Sequence, residues 1–404
     1  MSRSIASCML AVIAPLHLAA CGPPEYEFEP YSGDPFPTQR TPLEIPEGGG
    51  ALVSNSYSDS ISVLGLAGGE TIATAPVGRD PVGLDGPHHI AVAPDGSAVY
   101  TALSYPALGF SGPHATHGGS VASGYAQKLD GTDFHIVGQV RVDSNPGDIV
   151  LSEDGKRLVV SHFDLLRAIK NPGDIDAARA TIAVIDPETI APTGSPAPVR
   201  IPTCVAPHGM TLSRPDGKTA YVACYGEDVL AVVDLEKNEV LSRVPMGGAA
   251  SGFGDPAYGP YSAVLSPDGA RLAIGCTVSN DVRIFDVELG EMLPDATLST
   301  LGSPFFAAWS DDGTQLVVPM QSPDAVAVID LTTKTETLHR DFSGDECVLP
   351  HAVMSTGGML TLVCEGDHEA PGKVLWLDPA TLDTVRSVDV GVYPDTIVPF
   401  GGAQ

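Results

Sequence analysis

Pro207-His208-Gly209-Met210-Thr211-Leu212-Ser213-Arg214-Pro215-Asp216-Gly217-Lys218-Thr219-Ala220-Tyr221-Val222-Ala223-Cys224 decides the fold, because its parts recur along the chain. A proline opens an apolar run, an Asp-Gly turn follows, and a second apolar run closes the phrase. An Asp-Gly pair between short alternating apolar runs is a strong local signal for a β-hairpin. The same phrase opens at Pro87 and turns at Gly96, and opens at Pro146 and turns at Glu153-Asp154-Gly155. It returns at Pro260 (turn Pro267-Asp268-Gly269), Pro304 (Asp311-Asp312-Gly313) and Pro350 (Gly357-Gly358). Each hairpin is followed by a third run ending in aspartate, such as Val229–Asp234, Val282–Asp286 or Val326–Asp330, and then by a fourth, such as Glu239–Val244. Four antiparallel strands recurring at about 45 residues make one blade of a β-propeller.

The two ends are complementary. Residues 51–78 supply second, third and fourth runs but no first, and a lone first run, Tyr393–Val398, stands near the C-terminus. Joined, they complete a blade and leave no sheet edge unpaired. Six full phrases and one composite predict an all-β, seven-bladed propeller over 51–404. Tyr221-Val222-Ala223-Cys224 and Leu52-Val53-Ser54-Asn55 resemble the repeat of the YVTN family of periplasmic and surface propellers. That family belongs to a broader group including lactonase-like and amine-dehydrogenase heavy-chain-like propellers. The resemblance implies the fold across nearly the whole mature chain and says little about activity, since propellers host many unrelated functions.

Ahead of the repeats, Met9–Ala20 form an apolar run behind one charge, Arg3, and the run ends in Leu18-Ala19-Ala20-Cys21-Gly22. The run is too short to span a bilayer and reads as a signal peptide over 1–20. Its end resembles the lipobox of bacterial lipoproteins, which implies lipidation (palmitate) at Cys21. The expected location is the cell envelope: outer membrane, periplasm or cell surface. Residues 21–50, proline-rich, read as an extended tether. The chain carries 50 acidic and 21 basic residues, a net charge of −29, which argues against nucleic acid as a partner because phosphate binding needs Lys and Arg. A membrane held through the lipid, and a protein or small-molecule ligand, are the partners expected.

In a propeller the first strand of each blade lines the axis, and the loops joining strand four to strand one and strand two to strand three share one face, here called the top. Three segments longer than a bare blade needs (Ser104–Gln127, Phe163–Ala180 and Ala249–Gly259) all fall there, and loops elaborated on one side of a rigid scaffold mark a binding side. The residues following the seven opening prolines are His88, Gly147, His208, Tyr261, Phe305, His351 and Asp395. Imidazoles with a carboxylate suit copper or zinc, so His88, His208, His351 and Asp395 are candidate metal ligands at the channel mouth beside Tyr261 and Phe305. A polar, water-filled mouth is the alternative. His89, His114 and His117 are candidates by proximity.

Two cysteine phrases match: Cys204-Val205-Ala206-Pro207-His208 and Cys347-Val348-Leu349-Pro350-His351. Each is followed by a cysteine seven residues after the turn glycine, Cys224 and Cys364. In an oxidising compartment the expectation is two intrablade disulfides, Cys204–Cys224 and Cys347–Cys364. Cys276 is left over; it reads as a buried thiol or, with Met320 and His162, as a soft site for Cu(I). No Cys-x-x-Cys-His, Gly-x-Ser-x-Gly or phosphate-cradling glycine loop occurs. No catalytic residue is assigned. Three functions stand open: a lipid-anchored binding or scaffold module using its top face, a copper or zinc protein, and a lactonase- or lyase-like enzyme.

Overall fold

The structure, a computed structural model, describes residues 38–106, 118–247 and 255–401. Cys21, His114 and His117 lie outside the described residues, as do the signal peptide and the first part of the tether. Among the described residues, no helix is long and apolar enough to cross a membrane.

Seven antiparallel sheets follow one another. Blade 1 is the composite: Pro394–Phe400 pairs with Gly50–Asn55, and Ser60–Gly65 and Thr71–Pro76 follow. Blade 2 runs Pro87–Val92, Ala98–Leu103, Ser123–Asp130 and Ile136–Ser144. Blades 3, 4, 5 and 7 begin at Pro146, Pro207, Pro260 and Pro350, with the strand order expected from the repeat. The ring therefore closes as the sequence predicts, by Leu52 meeting Val398 and Val53 meeting Ile397 across the composite blade.

The alternation of apolar residues in each run places one row of side chains on each face of a blade. Neighbouring blades pack those rows face to face. One such interface joins Val159, Ile182 and Ile201 of blade 3 to Met210, Val222 and Ala231 of blade 4. The composite blade packs the same way on blade 7, through Ala51, Val53 and Ile397 against Val363, Val374 and Trp376.

Two expectations need correction. Both disulfides form, but Cys204 ends the outer strand of blade 3 (Val199–Cys204), so its bond to Cys224 joins two blades rather than staying within one. Cys347, in the loop before Pro350, ties that loop to the second strand of its own blade. The segment expected as a tether up to Gly50 is also bound before it reaches the sheet. The Arg40 guanidinium donates to the carbonyls of Phe134 and Pro76, Leu43 N–H donates to Thr132, and Leu43 and Ile45 join the core between blades 1 and 2.

Candidate functional site

The axial ring is set by a corner. The residue before the opening proline is left-handed in six blades: Gly86 (φ 66), Asn145 (56), Ala206 (51), Gly259 (63), Leu349 (54) and Tyr393 (54). Glycine takes this conformation freely, whereas other residues carry strain of about 1–2 kcal/mol. Carboxylates from a neighbouring loop hold two of the corners. Asp59 accepts from the N–H groups of Asp85 and Gly86, and Asp228 accepts from those of Ala257, Tyr258 and Gly259. Each corner swings the residue after the proline onto the axis. Blade 6 departs from the pattern. Its inner strand breaks into Ser303–Pro304 and Ala308–Trp309, and between them Phe306 exchanges backbone hydrogen bonds with His351 and Val353 of blade 7.

On one side of the axis, Asp395 bridges two histidines. His88 Nε2 lies 2.6 Å from Asp395 Oδ2, and His351 Nδ1 lies 2.6 Å from Oδ1. All three residues are completely buried. Burial works against a charged His351, but the carboxylates of Asp395 and Glu365 and the hydrogen bonds that its ring donates to Asp395 outweigh it and raise its pKa to about 9. Burial also disfavours the Asp395 carboxylate, yet its two histidine partners hold its pKa well below the usual range. His88 is pushed the other way, burial lowering its pKa against the pull of Asp395. The two histidines are thus biased in opposite directions, His351 toward its charged form and His88 toward its neutral one. Glu365 extends the network: it lies 3.6 Å from His351 Nδ1, bonds His368 at 2.7 Å and accepts from the Gln321 amide at 3.2 Å.

Beside this chain, His89 Nδ1 lies 2.6 Å from Asp148 Oδ1. Both oxygens of Asp148 already accept backbone N–H groups, those of Ile149 and Met210, so the ring donates from Nδ1. One donor atom each of His88, His89 and Asp395 lie within 4.8 Å of one another. His208 and His351 are not part of this group. His208 stacks on Tyr261 at a centroid distance of 3.7 Å and meets Phe163 edge-on at 4.9 Å.

The other side of the axis is aromatic. Tyr261 and Phe305 are buried but form the floor of a top-face cavity of about 200 Å3. Its walls include Phe163, Leu165 and Tyr225, with polar groups from Thr277, Ser303 and Gln321. Phe163 and Leu165 belong to the insertion 163–180, which folds into two short helices, Leu165–Lys170 and Ile175–Ala178, N-capped by Asp164 and Asp174. The elaborated loop thus borders the cavity.

The structure unites His88, His351 and Asp395, and sets Tyr261 and Phe305 together as cavity floor. It does not assemble Cys276, Met320 and His162. The Cys276 thiol contacts the Met246 sulfur at 3.9 Å, Met320 packs in a neighbouring core, and His162 is bonded to Thr181 and to the Asp143 N–H. Sequence reasoning missed Asp148, Phe306, Glu365 and Gln321. Asp148 sits two residues past an opening proline, the position that His89 holds in blade 2, and that equivalence was a readable signal. The excursion of Phe306 into the neighbouring blade had none.

No family model matches the chain, and no curated protein does. Solved structures do. The periplasmic gluconolactonase PpgL of Pseudomonas aeruginosa shares 18% identity at a TM-score of 0.62, over 88% of this chain and 99% of that one. The dihydro-heme d1 dehydrogenase NirN, solved in complex with DHE, shares 17% at 0.55, over 90% and 77%. Hydrazine synthase of Kuenenia stuttgartiensis shares 19% at 0.53, over 74% and 79%. At these identities the likeness is one of fold: the chain is a seven-bladed β-propeller.

Proposed function

We propose that this chain is an exported lipoprotein, anchored through Cys21, that binds a small organic ligand in the top-face cavity floored by Tyr261 and Phe305. The observation that carries the reading is the cavity itself: a concave aromatic site with a few polar groups, built where an inserted loop meets the axial ring. Exposed apolar residues add support. Of the nine large exposed hydrophobics among the described residues, Val82, Val121, Ile169, Val278 and Leu301 lie in top-face loops. Scattered apolar residues are ordinary, but a concentration on one face favours a partner there. The buried histidines fit a supporting role, because a molecule in the cavity meets Tyr261 and Phe305 before any imidazole.

The test is a thermal-shift screen of small neutral and cationic aromatic compounds against the mature protein, followed by titration of the hits. A saturable hit whose affinity falls at least tenfold in Leu165→Ala supports the cavity. Hits unaffected by that change place the ligand elsewhere. The same protein incubated with gluconolactone and related lactones is expected to show no turnover; turnover lost in Gln321→Leu would replace binding with catalysis. For the anchor, the exported protein is expected to carry lipid on its N-terminal peptide by mass spectrometry, and Cys21→Ala to be released from the membrane fraction. An unmodified peptide retaining residues before Cys21 would overturn that part.

A further inference from the structure

The axial cluster carries a second site, independent of the cavity. We propose that His88, His89 and Asp395 bind one divalent first-row transition ion, zinc or copper, inside the axial core. The set expected from sequence included His208 and His351; the proposed set keeps His88 and Asp395 and takes His89 in their place.

Three observations support the assignment. The first is convergence: two imidazoles and a carboxylate, all buried, offer donor atoms within 4.8 Å of one another. Nitrogen and carboxylate donors suit zinc and copper(II), and bonds of about 2.0–2.2 Å require small side-chain shifts in which His88 Nε2 and Asp395 Oδ2, now 2.6 Å apart, separate around the ion. The second is an unused atom. His89 Nε2 is buried with no hydrogen-bond partner, and His89 is 4% exposed. A buried polar atom without a partner is costly, and a metal bond is one way to satisfy it. The third is orientation. His89 gives its other ring N–H to Asp148, itself fixed by two backbone N–H groups. Metal-binding histidines characteristically donate their second nitrogen to a carboxylate in this way, which fixes the tautomer and leaves the lone pair for the ion. Asp395 is oriented likewise by His351.

The ion would take the place of the proton shared between His88 Nε2 and Asp395 Oδ2. His88 would bind through Nε2, with its ring proton on Nδ1. Three protein donors leave a coordination position open. His208 lies nearby, with ring centroids 5.6 Å from His88 and 5.8 Å from His89. Because the donors are buried, loading is coupled to folding and release to a chelator is slow.

A second cluster, Asp130, Asp133 and His135, sits in a turn of blade 2 and is only partly buried. It serves as the internal comparison, since Asp133 already bonds the Arg40 N–H and His135. The experiment unfolds the mature protein in chelator, refolds it with zinc or copper(II) in excess, removes unbound metal by gel filtration and measures what remains. One equivalent is expected for the parent and for His135→Ala. His89→Ala should retain less than a tenth as much, and Asp148→Asn should bind 10–100-fold more weakly. No retained metal in the parent overturns the proposal, as does loss in His135→Ala with full retention in His89→Ala. Should His89→Ala fail to refold, X-ray absorption on the zinc-loaded parent decides: two imidazoles in the first shell support the site, and a shell of oxygen alone refutes it.

Discussion

The two sides of the axial ring occupy equivalent positions and do opposite things. In blades 7, 1 and 2 the residue after the opening proline is His351, Asp395 or His88; in blades 5 and 6 it is Tyr261 or Phe305. Backbone geometry is repeated in blades 7, 1, 2 and 5, with blade 6 the exception, so between His351, Asp395 or His88 and Tyr261 the contrast comes from side chains. A buried charge is tolerated only when paired, and the polar side meets this by pairing with itself, through two 2.6 Å contacts to one carboxylate. Tyr261 and Phe305 need no such closure. They pack edge to face at 5.3 Å and leave space above them that a ligand can fill. A symmetric scaffold thus separates a sealed electrostatic core from an open apolar seat by substitution at one register position.

The sharpest way to break this contrast is Asp395→Ala. It removes the carboxylate that bridges His88 and His351, and breaking a buried pair by removing one partner costs about 3–5 kcal/mol. On the aromatic side Phe305→Leu, nearer to volume-conserving, should cost below about 1.5 kcal/mol. Urea unfolding of both variants reads the difference. Equal losses would mean that the polar side is held by packing rather than charge.

The disulfides test whether the two sides are supported separately. Each closes a short loop, with sequence separations of 20 and 17, and by the chain-entropy relation each contributes about 3 kcal/mol. Replacing either pair by alanine should therefore lower stability similarly. The consequences at the site should differ. Cys204–Cys224 leads into Val205 and Ala206, which pack with Phe163 and Tyr261, so its loss should weaken the cavity ligand. Cys347–Cys364 leads to His351 and should leave that affinity unchanged. Ligand titration of the two variants decides, and equal weakening would show the sides to be mechanically one.

Compensation on the polar side is sharpened by a buried histidine that has none of comparable strength. Burial lowers the His162 pKa to about 4, against the weaker pull of Asp143. The unfolded chain takes up this proton near pH 6.5 and the folded chain only near 4. Stability is therefore undiminished above pH 6.5 and falls between 6.5 and 4, by at most about 3 kcal/mol. Unfolding midpoints across that window should flatten in His162→Gln. An unchanged slope would assign the acid sensitivity to other groups.

Much of this was readable beforehand, for physical reasons. The turns, Asp-Gly in five phrases and Gly-Gly in the sixth, and the spacing of the prolines are repeated local signals, so the blades and the closure by Tyr393–Val398 emerge without tertiary information. The convergence of His88, His351 and Asp395 follows from the closure. What was not legible depends on contact between blades. Cys204 reads as part of blade 4 because it stands three residues before Pro207, yet its backbone pairs with Ala180 of blade 3. Phe306 leaves its own sheet for the next one. Glu365 is a different case: it follows Cys364, which pairs with Pro350 across the same hairpin, so it meets His351 within blade 7 through a register that the residue pattern alone does not give. Gly209 shows the same limit. A Cβ there would come within 2.7 Å of the Tyr261 carbonyl and the Ser262 Cα, an approach between blades that no pattern within blade 4 announces.

The smallest expected effect separates the ligand seat from the scaffold. Val278 borders the cavity and is 44% exposed, so Val278→Ser should change stability by no more than about 0.5 kcal/mol. Its side chain would nevertheless lose apolar contact with anything in the cavity, worth about 1 kcal/mol or roughly a fivefold weaker affinity. Binding that weakens while the unfolding midpoint stays fixed places the ligand against this wall of the aromatic side. Were both unchanged, the cavity would be space that the scaffold leaves, and the binding face would have to be sought among the exposed residues Val82, Val121 and Ile169 instead.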